Sequence, residues 1–258
     1  MTAGYTTQEA MTVAASRMLA NGTVCFVGIG LPSTAANLAR LTHAPEVVLI
    51  YESGPIGTRP PVLPLSIGDG NLADTADTVV STPEIFRYWL QGGRIDIGFL
   101  GAAQIDRFAN LNSTVIGPYG KPKVRLPGAG GAPEIASLAK ESLIVINHSP
   151  RAMVERLEFI SSAGYLDGGD ARQRLGLPGK GPTAVITDLC IMRPDPTTKE
   201  LTVTRLHPGI SREKVIEATG WPIRFAPSVE ETEAPRPNEL QELRDLLRRT
   251  AEAHGTAS

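Results

Sequence analysis

The stretch Val47-Val48-Leu49-Ile50-Tyr51-Glu52-Ser53-Gly54-Pro55-Ile56-Gly57 decides the fold. Its first five residues are apolar without alternation, the pattern of a strand buried on both faces of a parallel sheet. An acid follows at once, and then a turn containing two glycines. In open α/β sheets ligands collect at the carboxyl ends of the strands, so Glu52 stands where function is usually found. Gly54 and Gly57 allow the chain to turn tightly and its backbone to approach a ligand closely. A carboxylate so placed could be a nucleophile, a general base, a metal ligand, or only a cap on the following turn.

Working outward, the same alternation of strand and helix recurs. Thr6 and Glu9 form a capping-box pattern ahead of the apolar stripe Met11, Val13, Ala14, Met18 and Leu19, which Asn21-Gly22 stops. A buried strand from Thr23 to Val27 runs into Gly28-Ile29-Gly30, and Ser33 is expected to cap a helix through Arg40. Ser81 and Glu84, with Pro83 in the first turn, open another helix that Gly92-Gly93 closes. Ile95 to Leu100, Leu143 to Asn147 and a run beginning at Ala184 to Thr187 read as further buried strands. This order predicts an α/β fold with a mostly parallel sheet flanked by helices. In the last third, Arg193 to Leu206 reads as an antiparallel pair turning at Pro194-Asp195-Pro196-Thr197, and Ser211 starts a short helix ending at Gly220. Glu230 to Asn238 is acidic and proline-containing, hence a linker. Leu240, Leu243, Leu246 and Leu247 then form the apolar face of a last helix. The expected division is one domain over 1–229 and a segment over 230–258 whose helix docks on that domain or on a partner chain.

Composition narrows the function classes. The formal net charge of −2 leaves no electrostatic footprint for nucleic acid or an anionic membrane. The longest apolar runs are strand-sized, far short of a bilayer span. MTAGYTTQEA has neither a basic nor an apolar signal region, which makes the cytoplasm the expected location. Cys25 and Cys190 each lie in an apolar segment and read as buried reduced thiols, with no disulfide framework or zinc site. His43, His148 and His207 lack metal-ligand spacing, and neither a Ser-His-Asp nor a Cys-His arrangement can be assembled from the sequence.

Three further constellations accompany the acid. Leu126-Pro127-Gly128-Ala129-Gly130-Gly131-Ala132-Pro133-Glu134 lets successive N–H groups point at one spot, ahead of a helix expected from Pro133. Such a nest suits a phosphate or an oxyanion, although an irregular surface loop has the same composition; no Gly-Lys-Ser/Thr follows, so it is not a P-loop. Lys121, Lys123 and Arg125 precede it and could meet an anion or simply be solvated. Gly28-Ile29-Gly30 lacks the third glycine of a dinucleotide fingerprint, having Ser33 there, and reads as a turn where a ligand or another backbone passes close. Gln104 and Asp106, after another strand, either line a site or belong to an Asx-type turn with Asn110.

The ordered series VGIGLPSTAANLARL, YESGPIG, FLGAAQIDRFANLN, KPKVRLPGAGGAPEIA, RLGLPGKGP and LHPG resembles the β subunits of class I coenzyme A transferases. The resemblance runs to about Trp221 and is nearest to the branch shared by 3-oxoadipate and glutaconate transferases. It implies that Glu52, in the E-S-G motif, is the nucleophile, and that relatives turned hydrolase or decarboxylase have lost it. It implies that Gly130, Gly131 and Ala132 hold the thioester oxygen through backbone N–H groups. Possible contacts to substrate or coenzyme A are Gly28, Gly30, Ser53, Gly54, Gln104, Lys121, Lys123 and Arg125. The implied reaction moves coenzyme A from succinyl-CoA to an oxoacid through an acyl-glutamyl anhydride and a glutamyl-CoA thioester. Coenzyme A thioesters are then substrates, with no permanently bound cofactor and no metal. The implied partner is a homologous α subunit in a hetero-oligomer. Two rival readings are a different oxoacid within the same class and a non-catalytic partner subunit in which Glu52 only shapes an interface.

Overall fold

A computed structural model of the chain describes residues 4–255. In chain order the first half contains α1 (Thr7–Ser16), β1 (Val24–Val27), α2 (Leu31–Leu41), β2 (Val48–Ile50), β3 (Pro55–Ile56), α3 (Gly70–Asp74) and β4 (Thr78–Val79). Next come α4 (Thr82–Glu84), which continues as a π-helical turn over Ile85–Leu90, and β5 (Ile97–Leu100). Two small antiparallel pairs follow, β6 (Gln104–Ile105) with β7 (Leu111–Asn112) and β8 (Val115–Ile116) with β9 (Val124–Arg125). The second half contains α5 (Ala132–Leu138), β10 (Glu141–Val145), α6 (Ala171–Arg174), β11 (Pro182–Ile186), β12 (Cys190–Pro194), β13 (Leu201–Leu206), α7 (Arg212–Glu217), β14 (Arg224–Glu231) and α8 (Pro237–Ala253).

Ten strands form one sheet in the order β14-β13-β12-β11-β10-β5-β1-β2-β3-β4. The central five, β11, β10, β5, β1 and β2, are all parallel; antiparallel pairing extends both edges through β12–β13 and β3–β4, and the outermost β14 runs parallel to β13. The expected α/β class is therefore observed. Alternation along each central strand divides its side chains between two apolar layers. Cys25 and Val27 face the layer under α1 and α2, with Leu49, Tyr51, Phe99 and Val145. Phe26 faces the other layer, with Ile50, Leu100, Ile144 and Val185. From β1 the chain moves outward to β2, and from β5 it moves the opposite way to β10. The strand order thus reverses between β1 and β5, and a crevice opens above their carboxyl ends.

Local expectations are met in some places and overturned in others. The Thr6–Glu9 capping box is present, Glu9 N–H donating to Thr6 Oγ1 at 3.1 Å and Thr6 N–H to Glu9 Oε2 at 2.7 Å. Ser33, by contrast, is not the cap of α2. That place belongs to Gly30, whose φ of 84° a side chain would oppose, while the Ser33 hydroxyl pairs with Tyr51 Oη at 2.8 Å. Burial pushes the Tyr51 phenol up to about 12, so it pairs as a neutral group. The segment read as a linker from Glu230 is still strand at its start, Glu230 and Glu231 lying beside Arg205 and Leu206 on β13. RLGLPGKGP lies against Arg172, a buried guanidinium that donates to the carbonyl of Gly179 in that motif and to those of Ala163, Gly164, Ala136 and Ser137 in two other segments. Main-chain carbonyls supply all five acceptors, and within the motif Gly181 passes so close that a Cβ there would stand 2.9 Å from Arg172 Cδ.

Helix α8 packs across α1 and α2, where Leu243 meets Val13 and Leu38. Arg17 grips Glu239 with bonds of 2.8 and 2.6 Å. At its far end Thr250 Oγ1 accepts from Leu63 N–H at 2.9 Å, and His254 Nε2 lies 3.0 Å from the Leu63 carbonyl. Among the described residues no helix is long and apolar enough to cross a membrane. Since Leu243 is fully buried in this small satellite core, Leu243→Ala should cost about 2–4 kcal/mol, read as a lowered midpoint in urea denaturation. An unchanged midpoint would mean that α8 does not bear on the domain's stability.

Candidate active site

Glu52 leaves the end of β2 half-buried, and the turn that follows is built tightly. Gly54 has φ 121°, and a Cβ there would stand 1.9 Å from the Val80 carbonyl oxygen of the neighbouring edge. Gly57, at φ 68°, lies as closely against Asp77. These contacts hold β3 and β4 beside β2 and fix the base from which Glu52 projects. Opposite it, α5 rests on β5 at Gly98, where a Cβ would come 2.4 Å from Ile135 Cγ2. The missing side chain lets α5 sit low on the sheet, with Gly131 as its N-cap facing Glu52. Gly131 N–H donates to Glu52 Oε2 at 3.0 Å. Among the described residues no donor reaches Glu52 Oε1, which faces Gly130 across a gap that a Cβ would narrow to 3.3 Å.

The acid and the loop form one wall of a cleft of about 810 Å³ above the β1–β5 crevice. Gly28, Glu52, Gly130 and Ala132 all line it, so four of the residues singled out from the sequence meet at one place. The rest of the lining is largely apolar, with Phe26, Leu65, Ile67, Leu100 and Ala102 among it. A smaller hollow of about 350 Å³ adjoins it through Ile29, Gly101, Ala102 and Ala103 and reaches Asn147 and Ser149. Together they make a groove across the point where strand order reverses, the usual ligand position in this architecture.

Other candidates lie apart from the cleft lining. Gly30 is the N-cap of α2 in an open position. Gly54 is a packing glycine beneath the acid, and the Ser53 hydroxyl is buried with no protein partner among the described residues. The Gln104 amide donates to the Arg151 carbonyl at 3.3 Å and accepts from Asn112 at 3.0 Å, so it is engaged in the β6–β7 pair. Asp106 forms the Asx turn, taking the N–H groups of Phe108 and Asn110 at 2.9 and 3.0 Å. Burial outweighs these bonds and raises its carboxyl above the ordinary value. Lys121, Lys123 and Arg125 are carried on the β8–β9 hairpin, Arg125 lying over the Tyr119 ring at 4.8 Å. None of the three is among the cleft-lining residues, which the chain rejoins at Pro127 after the hairpin.

Leu65 and Ile67 look in the sequence like loop residues beyond a run of prolines, and Phe86 like one more apolar residue on a helix, so none of the three announces itself as a neighbour of the site. Gly98, a glycine inside the strand Ile97–Leu100, is the legible signal of a close approach.

A coenzyme A transferase profile matches residues 8–218, and the chain belongs to the coenzyme A transferase family. It is 70% identical to the B subunit of 3-oxoadipate CoA-transferase from Pseudomonas knackmussii over 251 residues, 97% of this chain and 96% of the relative. It is 36% identical to the B subunit of glutaconate CoA-transferase from Acidaminococcus fermentans, covering 94% and 92% of the two chains. The crystal structure of that glutaconate CoA-transferase superposes with a TM-score of 0.86 at 34% identity, covering 93% of this chain and 94% of the other.

Away from the cleft, the structure does bring a cysteine and a histidine together. Cys190 Sγ lies 3.8 Å from His148 Nδ1, which also meets Thr187 Oγ1 at 3.1 Å, while Nε2 meets Thr219 Oγ1 at 2.9 Å. This is a packed polar knot and no nucleophile: burial pushes the Cys190 thiol up to about 12, and an inert thiol results. Burial likewise lowers His148 to about 4, against a weaker opposing pull from Asp188. A histidine kept neutral in the fold binds its proton more readily when unfolded. Its contribution is therefore whole above about pH 6.5 and is lost as pH falls toward about 4. His148→Gln should flatten the fall in stability over that window, measured by urea denaturation at a series of pH values. A wild-type slope in the variant would remove His148 from the account.

Proposed function

We propose that this chain is the glutamate-bearing subunit of a coenzyme A transferase that moves coenzyme A from succinyl-CoA to 3-oxoadipate. The observation that carries the reading is Glu52 on the wall of a substrate-sized cleft with Oε2 held by Gly131 N–H at 3.0 Å. High identity to one subunit of a 3-oxoadipate transferase supports the choice of oxoacid, and the existence of that relative as one of two kinds of subunit supports a homologous second chain completing the site.

On this reading the two carboxylate oxygens have different tasks. Oε1, with no donor among the described residues and Gly130 of the cleft wall opposite it, attacks the thioester carbonyl of succinyl-CoA; the carbon–sulfur bond breaks and coenzyme A leaves as thiolate. The thiolate then adds to the Glu52 carboxyl carbon, and succinate departs with Oε1, leaving a glutamyl thioester. In that addition negative charge gathers on Oε2, which already faces the Gly131 N–H. A preorganised donor of this kind lowers the barrier by about 3–4 kcal/mol. The acceptor carboxylate attacks the glutamyl thioester, and the released thiolate attacks the acceptor acyl carbon, forming the new thioester and restoring Glu52. Coenzyme A contacts remote from the reacting carbon supply the energy to hold these groups in line. The apolar lining keeps water from an anhydride that it would hydrolyse.

Succinyl-CoA given without acceptor to the assembled heteromer should leave a coenzyme A thioester on the peptide containing YESGPIG, converted to an alcohol by borohydride and located by mass spectrometry. Glu52→Gln should remain folded and lose exchange by several orders of magnitude; a label on another peptide would sink the assignment. Gly131→Ala should lower turnover about 10²–10³-fold with little change in coenzyme A affinity, because its Cβ would intrude 2.6 Å from Oε2. A loss confined to affinity would make the loop a phosphate cradle instead.

A further inference from the structure

Phe86, half-buried and outside the cleft lining, stands against Gly131 on the π-helical turn. A Cβ built on Gly131 would lie 2.4 Å from Phe86 Cζ, 2.8 Å from Cε1 and 2.6 Å from Glu52 Oε2. The ring edge, the loop backbone and the carboxylate therefore converge on one point with no room for a methyl group. An aromatic edge carries the positive end of the ring quadrupole, so it is the face of phenylalanine that suits a neighbouring carboxylate. Phe86 packs in turn against Phe26, ring centroids 5.8 Å apart and planes tilted by 53°. Phe26 is fully buried and lines the cleft, so the pair of rings runs from the cleft lining to Gly131.

The ring is firmly planted. It lies in the π-helical turn Ile85–Leu90, whose buried ends Ile85 and Leu90 anchor it in the core. Gln91 N–H closes the wide turn on the Phe86 carbonyl at 2.9 Å. Ahead of it, Glu84 accepts from both the Ser81 N–H and the Ser81 hydroxyl at 2.8 Å, which fixes the entry to the turn.

We propose that Phe86 is a shielding and positioning residue that denies water the Gly131 side of the Glu52 acyl carbon and so sets the partition between coenzyme A transfer and thioester hydrolysis. This rests on Glu52 being the acylated group. Once Glu52 is a thioester, two nucleophiles compete for its carboxyl carbon. The acceptor carboxylate enters from the cleft. Water reaching the same carbon would break the carbon–sulfur bond and yield free coenzyme A, one of its two protons going to the thiolate and the other to solvent, with Glu52 restored as carboxylate. On the Gly131 side the packed ring edge leaves no space for that water. Removing the ring opens a water-sized gap beside the reacting carbon, and loosens the wedge that aims Gly131 N–H at Oε2.

The test uses the heteromer of this chain with its α subunit, carrying Phe86→Ala or the milder Phe86→Leu. Two rates are measured with succinyl-CoA: release of free thiol without acceptor, and transfer to 3-oxoadipate. In Phe86→Ala the ratio of hydrolysis to transfer should rise at least about tenfold, with KM for succinyl-CoA within about threefold of wild type. Phe86→Leu should fall between and carries the test alone if the alanine variant does not assemble. The glutamyl thioester on the YESGPIG peptide should decay correspondingly faster. A merely structural role would lower both rates together and leave the ratio unmoved. An unchanged ratio, with a thioester as long-lived as in wild type, overturns the proposal. Failure of wild type to form any thioester on Glu52 would instead overturn the reading of Glu52, a result distinct from the first.

Discussion

One hydrogen bond, from Gly131 N–H to Glu52 Oε2, joins parts of the chain 79 residues apart, and the surrounding structure is arranged to make it. The acid end is held by β2, whose parallel pairing with β1 fixes where Tyr51 stops and Glu52 begins. The donor end is held by α5, which comes low enough only because Gly98 offers no side chain to Ile135. Phe86 closes the remaining gap. Each support is a packing constraint, and packed interiors do not deform gradually. The bond is thus specified by the bulk of the domain rather than by the loop that contributes the donor.

The central strands were legible because a parallel strand covered on both faces must be apolar throughout, as Val47 to Tyr51 is. The position of Glu52 followed from the strand it ends, and the glycine loop announced itself by composition. What escaped reading depended on contacts between distant segments. Ser33 has the right chemistry for a helix cap, yet Tyr51 draws its hydroxyl inward and leaves the cap to Gly30. Glu230 and Glu231 look like linker because nothing local shows that β13 offers them an edge. Phe86 is invisible as a site neighbour until α5 is placed.

The apolar lining sets a division of labour. Within the cleft lining of this chain, Glu52 is the charged side chain, while Leu65, Ile67 and the Phe26 floor are hydrocarbon. Such a surface strengthens every electrostatic contact made inside it, including that to Oε2. The C-terminal helix takes part at a distance. Thr250 and His254 hold Leu63, two residues before Leu65, so α8 steadies the outer lip of the cleft as well as the helical layer.

The unequal settings of the two Glu52 oxygens have a consequence for the fate of individual atoms. On the proposed route Oε1 leaves with the donor acid in every cycle, and an oxygen from the acceptor carboxylate takes its place. Oε2 stays, because the Gly131 bond opposes the half-turn of the carboxylate that would exchange the two positions. Heavy oxygen introduced in the acceptor would therefore pass through the protein and emerge in the donor acid one cycle later. The other oxygen of Glu52 would keep the isotope with which the chain was synthesised, making one atom of the side chain a transient passenger and its neighbour a permanent resident.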